Sequence, residues 1–501
     1  MYHSFVGSTA NRPGRAFEDI ADTLFKIAGR RSAVRRRPSG DSRPDWDREE
    51  VRMRGSIHRR GFLKKSSVTA AGTMIGSRLS GFGLIFSNRA QEPALLGGTP
   101  VRSKKWVKWP IWNSDAEGGL ISLLRSGRWW RGAGNTIDRF EKEYARLLGA
   151  GHCLATASGT TALITAMSAT GVDAGDEVIV APFTFIATYN AVFCLKALPV
   201  FADTDAETYT LDPDTIEERI TERTKAILPV HIYGLPADMD RINAIAKKHN
   251  LVVIEDACQA WLAEYRGRRC GSHGNLACFS FQNSKNLPAG EGGAITCNDE
   301  DLIDRCFAVH DHGRPHGSIR GHYSINGGNF RMQQFQAVIL LSQIRRIERD
   351  ADTRERNASH LTARLNEIPG IHTFKMSDGA TRSAYHIYPF RYQKQAFKNL
   401  PRRKFIAALR AEGIPCGSGY YSPFRFGLIE EQLNSRGFRR LFPKERLEAY
   451  RENQGLPGTE LLSEETVILT QNMLLGNTQD MDDIADAILK IRENAELLLN
   501  A

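Results

Sequence analysis

Lys285 lies in a polar loop between two apolar runs, Ala277–Phe281 and Gly293–Cys297, and Gly290 to Gly293 follow it closely. Flanking apolar runs and glycines are not typical of a lysine on an exposed surface. An amine with a depressed pKa can attack a carbonyl carbon and form a Schiff base. Taken alone, the pattern also fits an ordinary solvated loop lysine. The segment Ser280–Lys285 is therefore a candidate for nucleophilic chemistry.

The apolar run Leu251–Ile254 ends in Glu255 and Asp256, and Asp256 opens the segment Asp256-Ala-Cys-Gln259. A carboxylate held at the end of a buried strand could pair with the ring nitrogen of a bound heterocyclic cofactor and keep it protonated. Such a charged ring withdraws electrons from a reacting carbon. The plainer alternative is an aspartate that caps the start of a helix.

Two glycine-containing segments are typical of loops that enter helices. In Ser158–Leu163, a glycine followed by two threonines predicts free backbone N–H groups at the positive end of a helix, which is a phosphate-binding arrangement. Ordinary helix capping explains the same residues. Gly327–Met332, with Gln336 one turn later, fits either a binding loop or a simple turn.

The elements around these segments alternate between short apolar runs and helical patterns. The runs predict strands at 153–157, 177–181, 199–202, 226–230, 251–254, 277–281 and 293–297, and the intervening patterns predict helices at 161–170, 186–195, 213–220 and 240–249. Continuous apolar strands between helices indicate a mostly parallel sheet covered on both faces. Sheets of this kind bind ligands at the carboxyl ends of their strands, where we expect the four candidate segments to lie.

After about residue 345 the pattern changes. A long charged helix at 344–366 leads to a strand at 385–392 and then to further helices. The sequence therefore predicts an α/β protein with a large domain at 91–345 and a smaller C-terminal α+β domain at 346–501. No internal repeat is present, and no segment is long and apolar enough for a stable membrane span.

The charge of +10 belongs to the N-terminus. Of 67 basic and 57 acidic residues, 18 basic and 8 acidic ones lie in residues 1–90, which leaves 49 of each in residues 91–501. A folded domain with balanced charge gives no reason to expect nucleic-acid binding. The eight cysteines form no C-x-x-C pair, and several lie in apolar runs, which favours buried free thiols over a metal site or a disulfide framework.

Residues 1–90 form a basic leader that we expect to be largely disordered. Met53 is an alternative start, and after it Arg59-Arg60-Gly-Phe-Leu-Lys64 resembles the twin-arginine export signal. A mildly apolar stretch from Ser66 to Phe86 fits the hydrophobic part of such a signal. The alternatives are export to the periplasm through residues 53–90, or a cytoplasmic protein whose basic tail matches by chance.

Taken in order, these segments resemble the DegT/StrS group of sugar aminotransferases, which are fold-type-I pyridoxal-phosphate enzymes. The resemblance covers residues 95 to 495. It rests on these stretches: Ser126–Trp129, Ser158–Leu163, Glu255–Ala260, Ser280–Lys285 with Gly290–Gly293, Gly328–Met332, Asn472–Gly476 and Asp480–Ile484.

The resemblance implies a role for each candidate residue. Lys285 would form the Schiff base with pyridoxal 5'-phosphate and carry the proton between substrate and cofactor. Asp256 would pair with the ring nitrogen, and Gln259 would contact the ring hydroxyl. The remaining implied contacts are Thr160, Thr161 and Ser280 on the phosphate, Phe185 on the ring face, and Asn329 on the phosphate of a neighbouring subunit. The last contact implies a homodimer with shared active sites.

The substrate implied is a ketone with an amino-acid donor, glutamine or glutamate. Many relatives that act on nucleotide-linked sugars carry a His-Tyr-x-Pro-x-His type segment, whereas the corresponding stretch here, Gly413–Phe424, has no histidine. The sequence looks more like the branch that aminates scyllo-inosose-type ketones or makes aminohydroxybenzoate. Nucleotide-linked keto-sugars stay an alternative, and so does a protein of this fold that binds without turnover. Lys285 disfavours the related dehydratases, which have histidine there.

Overall fold

The computed structural model describes residues 91–501, apart from Asn113 and His322. The predicted leader at 1–90, with its twin-arginine-like stretch, lies outside the described residues. The helices are α1 Ser114–Ser126, α2 Thr136–Leu148, α3 Gly159–Ala169, α4 Ala187–Cys194, α5 Met239–His249, α6 Glu300–His310, α7 Gln334–Asn366, α8 Arg402–Ala411, α9 Leu428–Asn434, α10 Phe438–Leu441, α11 Lys444–Glu452, α12 Pro457–Glu465, α13 Thr478–Glu493 and α14 Ala495–Asn500. The strands are β1 His152–Thr156, β2 Glu177–Val180, β3 Leu198–Phe201, β4 Thr224–Leu228, β5 Val252–Asp256, β6 Glu264–Tyr265, β7 Arg268–Arg269, β8 Leu276–Ser280, β9 Gly293–Cys297, β10 Ile371–Thr373, β11 Ala380–Arg382, β12 Ile387–Tyr392, β13 Cys416–Ser418 and β14 Thr466–Thr470.

Seven strands form the main sheet in the order β1-β9-β8-β5-β4-β2-β3. Every pair from β8 to β3 is parallel, and β9 alone runs against its two neighbours, β8 and β1. The predicted mostly parallel sheet is therefore confirmed. Each predicted strand of this sheet is present, with its ends displaced by at most two residues.

Both faces of the main sheet are covered. Successive residues of a strand point to opposite faces, and here they enter different apolar clusters. Ile254 and Cys278 pack with helix α3, whereas Val253 faces α5 and Phe279 faces α2. All of these side chains are buried. Continuous apolar strands are thus explained by helices on both sides.

A second sheet of four antiparallel strands, in the order β10-β12-β14-β13, lies in the C-terminal part of the chain. Helix α7 connects the two cores, because Ala337 and Leu340 pack with the main sheet whereas Leu361 and Leu365 pack with the second. Residue 345, the predicted domain boundary, lies within this continuous helix. The division into 91–345 and 346–501 stays a prediction.

Two element predictions were wrong in detail. The helix predicted at 213–220 is instead two short 3-10 turns, Pro213–Thr215 and Glu217–Arg219. The β-branched residues Thr215 and Ile216 lie at its centre, and Ile216 turns fully into the core, which favours the tighter, interrupted geometry. Helix α7 begins ten residues before the predicted start at 344, because its first turns are buried under α1 and α2 and show no charged periodicity.

All eight cysteines are free thiols, and none of the described residues forms a disulfide. Four are buried and three are partly buried, as their apolar surroundings predict. Cys194 is the exception, because it is exposed at the end of helix α4 although it lies in an apolar run of the sequence. None of the helices within 91–501, as far as these residues are described, combines the length and the apolar character needed to cross a bilayer.

Candidate active site

A cavity of about 500 Å³ opens at the carboxyl ends of β5 and β8, next to the first turn of α3. Six of the eight predicted site residues line it: Thr160, Phe185, Asp256, Gln259, Ser280 and Lys285. Thr161 and Asn329 do not. Tertiary structure thus brings together residues that are up to 125 positions apart, because parallel strands end at one edge of the sheet.

The first turn of α3 forms one wall of the cavity. Ser158 caps the helix by accepting a hydrogen bond from the backbone N–H of Thr161 at 3.1 Å, and its own N–H donates to the Thr161 hydroxyl at 2.9 Å. The Thr161 hydroxyl is therefore part of the cap. The N–H groups of Gly159 and Thr160 have no partner among the described residues, so they are open to an anion at the positive end of the helix.

Gly159 allows this helix to begin against the sheet. A Cβ atom at this position would lie 2.8 Å from Cys258 Sγ and 2.8 Å from Ser280 Cβ, which is closer than carbon side chains tolerate. The close approach places the free N–H groups beside Ser280, which is 8% exposed and also lines the cavity. Helix amides and a serine hydroxyl at one point are suited to a phosphate group.

Asp256 is held rigidly at the end of β5. Its side chain is buried, Thr188 Oγ1 donates to Oδ2 at 2.8 Å, and the N–H of Cys258 donates to Oδ1 at 3.1 Å. The hydroxyls of Thr184 and Thr188 lie 2.9 Å apart and continue the chain of hydrogen bonds. These bonds fix the position of the carboxylate, whose remaining lone pairs can accept a further hydrogen bond from a protonated nitrogen in the cavity.

Lys285 is fixed through its backbone. Its N–H donates to the carbonyl of Gln282 at 2.9 Å, and its carbonyl accepts from Trp109 Nε1 at 3.2 Å. Its Nζ lies 5.8 Å from the centre of the Trp261 ring. Burial lowers the pKa of the Lys285 amine below its ordinary 10.5, and the neighbouring Cys258 and Asp256 oppose this shift. A lower pKa increases the fraction of neutral, nucleophilic amine.

Gln259 and Phe185 occupy positions that the sequence could not define. The amide of Gln259 is bonded at both ends, because the N–H of Tyr233 donates to Oε1 at 2.8 Å and Nε2 donates to the hydroxyl of Tyr420 at 3.0 Å. Phe185 is 54% exposed at the edge of the cavity, 6.4 Å from the ring of Tyr420. An exposed aromatic ring here is free to cover a ligand, which a core phenylalanine is not.

Asn329 lies outside the cavity of its own chain. It is exposed and pairs with Asp311 in an isolated antiparallel bridge. This position is compatible with a contact to another subunit, which is the role that the sequence resemblance implies.

The sequence analysis gave no role to several residues that line the cavity, among them Glu291, His386 and Tyr420. Tyr420 belongs to the stretch 413–424, which lacks histidine but contains two adjacent tyrosines, and this pair of aromatic residues is the signal that the sequence offers. His386 immediately precedes β12 and lies 101 positions after Lys285 in the sequence. No local pattern indicates that it reaches the site.

A buried hydrogen-bond network supports the site from behind. Glu255 precedes Asp256 on β5 and, like His231, is fully buried. His231 Nε2 lies 2.9 Å from Oε2 of Glu255, and the backbone N–H groups of Gly271, His273 and Gly274 also donate to the carboxylate. With Cys270, these two residues are close enough to hold a metal ion. The carboxylate oxygens already accept four hydrogen bonds, so the cluster is a structural network.

Pyridoxal phosphate requires an anion site for its phosphate, an acid partner for its ring nitrogen and an amine for its aldehyde. The wall of α3, Asp256 and Lys285 supply these three groups around one cavity, so the residues fit the cofactor. The fold and this cavity together define a pyridoxal-phosphate-dependent enzyme on a mostly parallel α/β sheet.

The chain belongs to the DegT/DnrJ/EryC1/StrS aminotransferase family, whose model it matches over residues 114–487. It is 36% identical over 434 residues to the L-glutamine:2-deoxy-scyllo-inosose aminotransferase of Streptoalloteichus tenebrarius, covering 81% of this chain and 98% of that protein. The crystal structure of 3-amino-5-hydroxybenzoic acid synthase matches with a TM-score of 0.69 and 31% identity, over 80% of this chain and all of the other. The structure of DesI in the presence of its TDP-sugar product matches with a TM-score of 0.68 and 27% identity, over 82% and 98% of the two chains. The protein is a pyridoxal-phosphate-dependent transaminase.

Proposed function

We propose that this transaminase aminates a cyclitol ketone of the scyllo-inosose type, with glutamine as the amino donor. The observation that carries the proposal is the charge of the cavity. Among the described residues that line it, Lys285 is the one lysine or arginine, whereas Asp256 and Glu291 are both acidic. A nucleoside diphosphate needs cationic partners, arginine above all, whereas a neutral polyol needs only hydrogen-bonding groups. The name of the Streptoalloteichus relative points to the same donor and a similar ketone.

The proposed roles of the residues follow from their positions. Bound pyridoxal phosphate supplies an aldehyde for amines and a cationic ring that stabilises negative charge on the substrate carbon. The Lys285 amine moves the proton at that carbon, and its lowered pKa keeps it available as a base. The carboxylate of Asp256 keeps the proton on the ring nitrogen.

The remaining residues bind and orient the cofactor. The N–H groups at the start of α3, with Thr160 and Ser280, hold the phosphate. Thr161 contributes by capping that helix. Phe185 covers the ring face, and Gln259 approaches the ring hydroxyl. We further propose a homodimer, in which Asn329 reaches the phosphate bound by the partner subunit.

Reduction with borohydride tests the site. The purified protein is expected to be yellow, and reduction should attach a pyridoxyl group to Lys285, located by mass spectrometry of peptides. Lys285→Ala should abolish both the adduct and turnover. Lys444→Ala is the matched control. The Lys444 side chain is 81% exposed, pairs with Glu448 and does not line the cavity. An adduct on another lysine would refute the assignment.

A panel of ketones tests the substrate. We expect amine product from glutamine with scyllo-inosose or 2-deoxy-scyllo-inosose, and a slower reaction with glutamate. A TDP-linked keto-sugar in the same panel tests the alternative that the DesI similarity suggests. Amination of the nucleotide sugar without amination of either inosose would overturn the proposal. Light scattering of the purified enzyme measures whether it is a dimer.

For the leader, we propose export through the twin-arginine-like stretch in residues 53–90. Cell fractionation tests this, with an Arg59→Lys, Arg60→Lys variant as the matched control. Periplasmic enzyme in the wild type and cytoplasmic enzyme in the variant support export. Enzyme found only in the cytoplasm, with residues 53–90 still attached, rejects it.

A further inference from the structure

His386 is a histidine in the wall of the cavity, contributed by the segment that leads into β12. Among the described residues it is the one histidine that lines the cavity, and the stretch 413–424 contains none. It is 6% exposed, and its ring packs edge-on against Trp261, with ring centres 5.6 Å apart. The ring is therefore fixed in place next to the indole that also faces Lys285.

The hydrogen bonds of Asn286 determine which ring nitrogen carries the proton. Asn286 Nδ2 donates to the carbonyl of Ala384 at 2.8 Å, so its Oδ1 is the atom that faces His386 Nδ1, at 3.2 Å. An amide oxygen only accepts, so His386 must donate from Nδ1. In the neutral ring, Nε2 is then an unprotonated acceptor. Nε2 has no hydrogen-bond partner among the described residues, and it is not buried out of reach of solvent. Because His386 lines the cavity, a ligand there can reach this nitrogen.

The surroundings keep this ring neutral. Burial lowers the pKa of His386 well below its ordinary 6.5, and the positive charges of Lys285 and Arg354 lower it further. A fixed acceptor that cannot become a donor discriminates between ligand groups. It offers nothing to a carboxylate or a phosphate, both of which also only accept, whereas a hydroxyl can donate to it.

We propose that Nε2 of His386 accepts a hydrogen bond from a hydroxyl group of the keto substrate and so determines specificity for a polyol ketone. This inference rests on the proposed cyclitol substrate and names the side chain that recognises it. His386 acts on the hydroxyl groups of the ketone. Its Nε2 accepts no hydrogen bond from the α-carboxylate of glutamine, because that carboxylate has no proton to donate at neutral pH.

The test separates the two half-reactions by stopped-flow absorbance of the holoenzyme. His386→Phe keeps the ring shape against Trp261 and removes the nitrogen. We expect its reaction with glutamine to stay within about threefold of wild type, and KM for the cyclitol ketone to rise about tenfold, the effect of one lost hydrogen bond. His386→Gln, which offers an amide oxygen as acceptor, should restore part of the ketone affinity.

Two further measurements keep the proposal testable if His386→Phe folds poorly. Asn286→Ala leaves the histidine intact but removes the oxygen that accepts from Nδ1, so the proton is no longer held on that nitrogen. We therefore expect KM for the ketone to rise about threefold to tenfold. ¹⁵N NMR of histidine-labelled enzyme should show Nδ1 protonated and Nε2 unprotonated at neutral pH. The opposite tautomer would overturn the proposal.

A series of deoxy analogues of the ketone identifies the hydroxyl. Wild-type enzyme should discriminate against the analogue that lacks it by about tenfold, and His386→Phe should not discriminate. If folded His386→Phe has an unchanged KM for the ketone, or if only its glutamine half-reaction slows, the role of His386 is refuted while the proposed function stands. Wild-type enzyme that aminates none of the cyclitol ketones refutes the proposed function itself, and the inference with it.

Discussion

Glu255→Gln should destabilise the protein, although Glu255 does not touch the cavity. Its carboxylate accepts from His231 Nε2 at 2.9 Å and from the N–H groups of Gly271, His273 and Gly274 at 2.8, 2.7 and 2.7 Å. The N–H of Ala237 donates to His231 Nδ1 at 3.0 Å, so the proton of the neutral ring lies on Nε2 and points at the carboxylate. Each oxygen therefore receives two donors.

A glutamine side chain keeps one acceptor oxygen and replaces the other by an NH₂ group. Two of the four donors then face another donor in a fully buried site. An unsatisfied buried donor costs about 1–3 kcal/mol, and the two remaining bonds lose their assistance from the charge. We expect the free energy of unfolding to fall by about 3–5 kcal/mol, as when other buried charge networks are broken.

Urea unfolding followed by tryptophan fluorescence measures the effect, with Glu445→Gln as the matched control, because Glu445 is exposed on α11. Burial alone would raise the pKa of Glu255, but the hydrogen bonds that its carboxylate accepts from His231 and from the backbone N–H of Gly274 lower it to about 2. A depressed pKa stabilises the fold above the unfolded-state value of 4.5, and this contribution is lost as the pH falls from 4.5 towards 2. The difference between wild type and Glu255→Gln should shrink over that window. A difference below about 1 kcal/mol at pH 7 would refute the argument.

Two substitutions closer to the cavity test its walls. Gly159→Ala places a Cβ atom 2.8 Å from Cys258 Sγ and from Ser280 Cβ. The resulting overpacking costs about 1–3 kcal/mol, so cofactor binding should weaken tenfold or more. Titration of the apoenzyme with the cofactor measures this affinity. Gly118→Ala is its control, because no atom lies within 4 Å of the new Cβ, and unchanged affinity in both variants would contradict the steric argument. Thr188→Val removes the 2.8 Å donor to Asp256, and a loss of about 1 kcal/mol should lower kcat/KM about fivefold. Equal kcat/KM in the valine variant would mean that this hydroxyl does not support the carboxylate.

The sequence predicted the main sheet well because buried parallel strands are continuous apolar runs, and each was recognised without knowledge of its neighbours. It predicted the segment 213–220 wrongly, since helical spacing there was overridden by the burial of Ile216. The start of α7 was missed for a related reason. Its first turns, from Gln334, are buried on several sides, so they lack the amphipathic period that marks a surface helix.

The sequence by itself identified candidates at or near the ends of strands and at the start of a helix, namely Asp256, Lys285 and the segment Ser158–Leu163. Position near the end of an element is a local property, so it can be recognised without the tertiary structure. Only the tertiary structure decided that His386 and Tyr420 join them, since both come from the C-terminal part of the chain. It also decided which atoms remain free. The Thr161 hydroxyl is used in a helix cap, whereas one nitrogen of His386 stays available to a ligand. Hydrogen-bond partners are set by packing between distant segments, and neither residue type nor spacing encodes them.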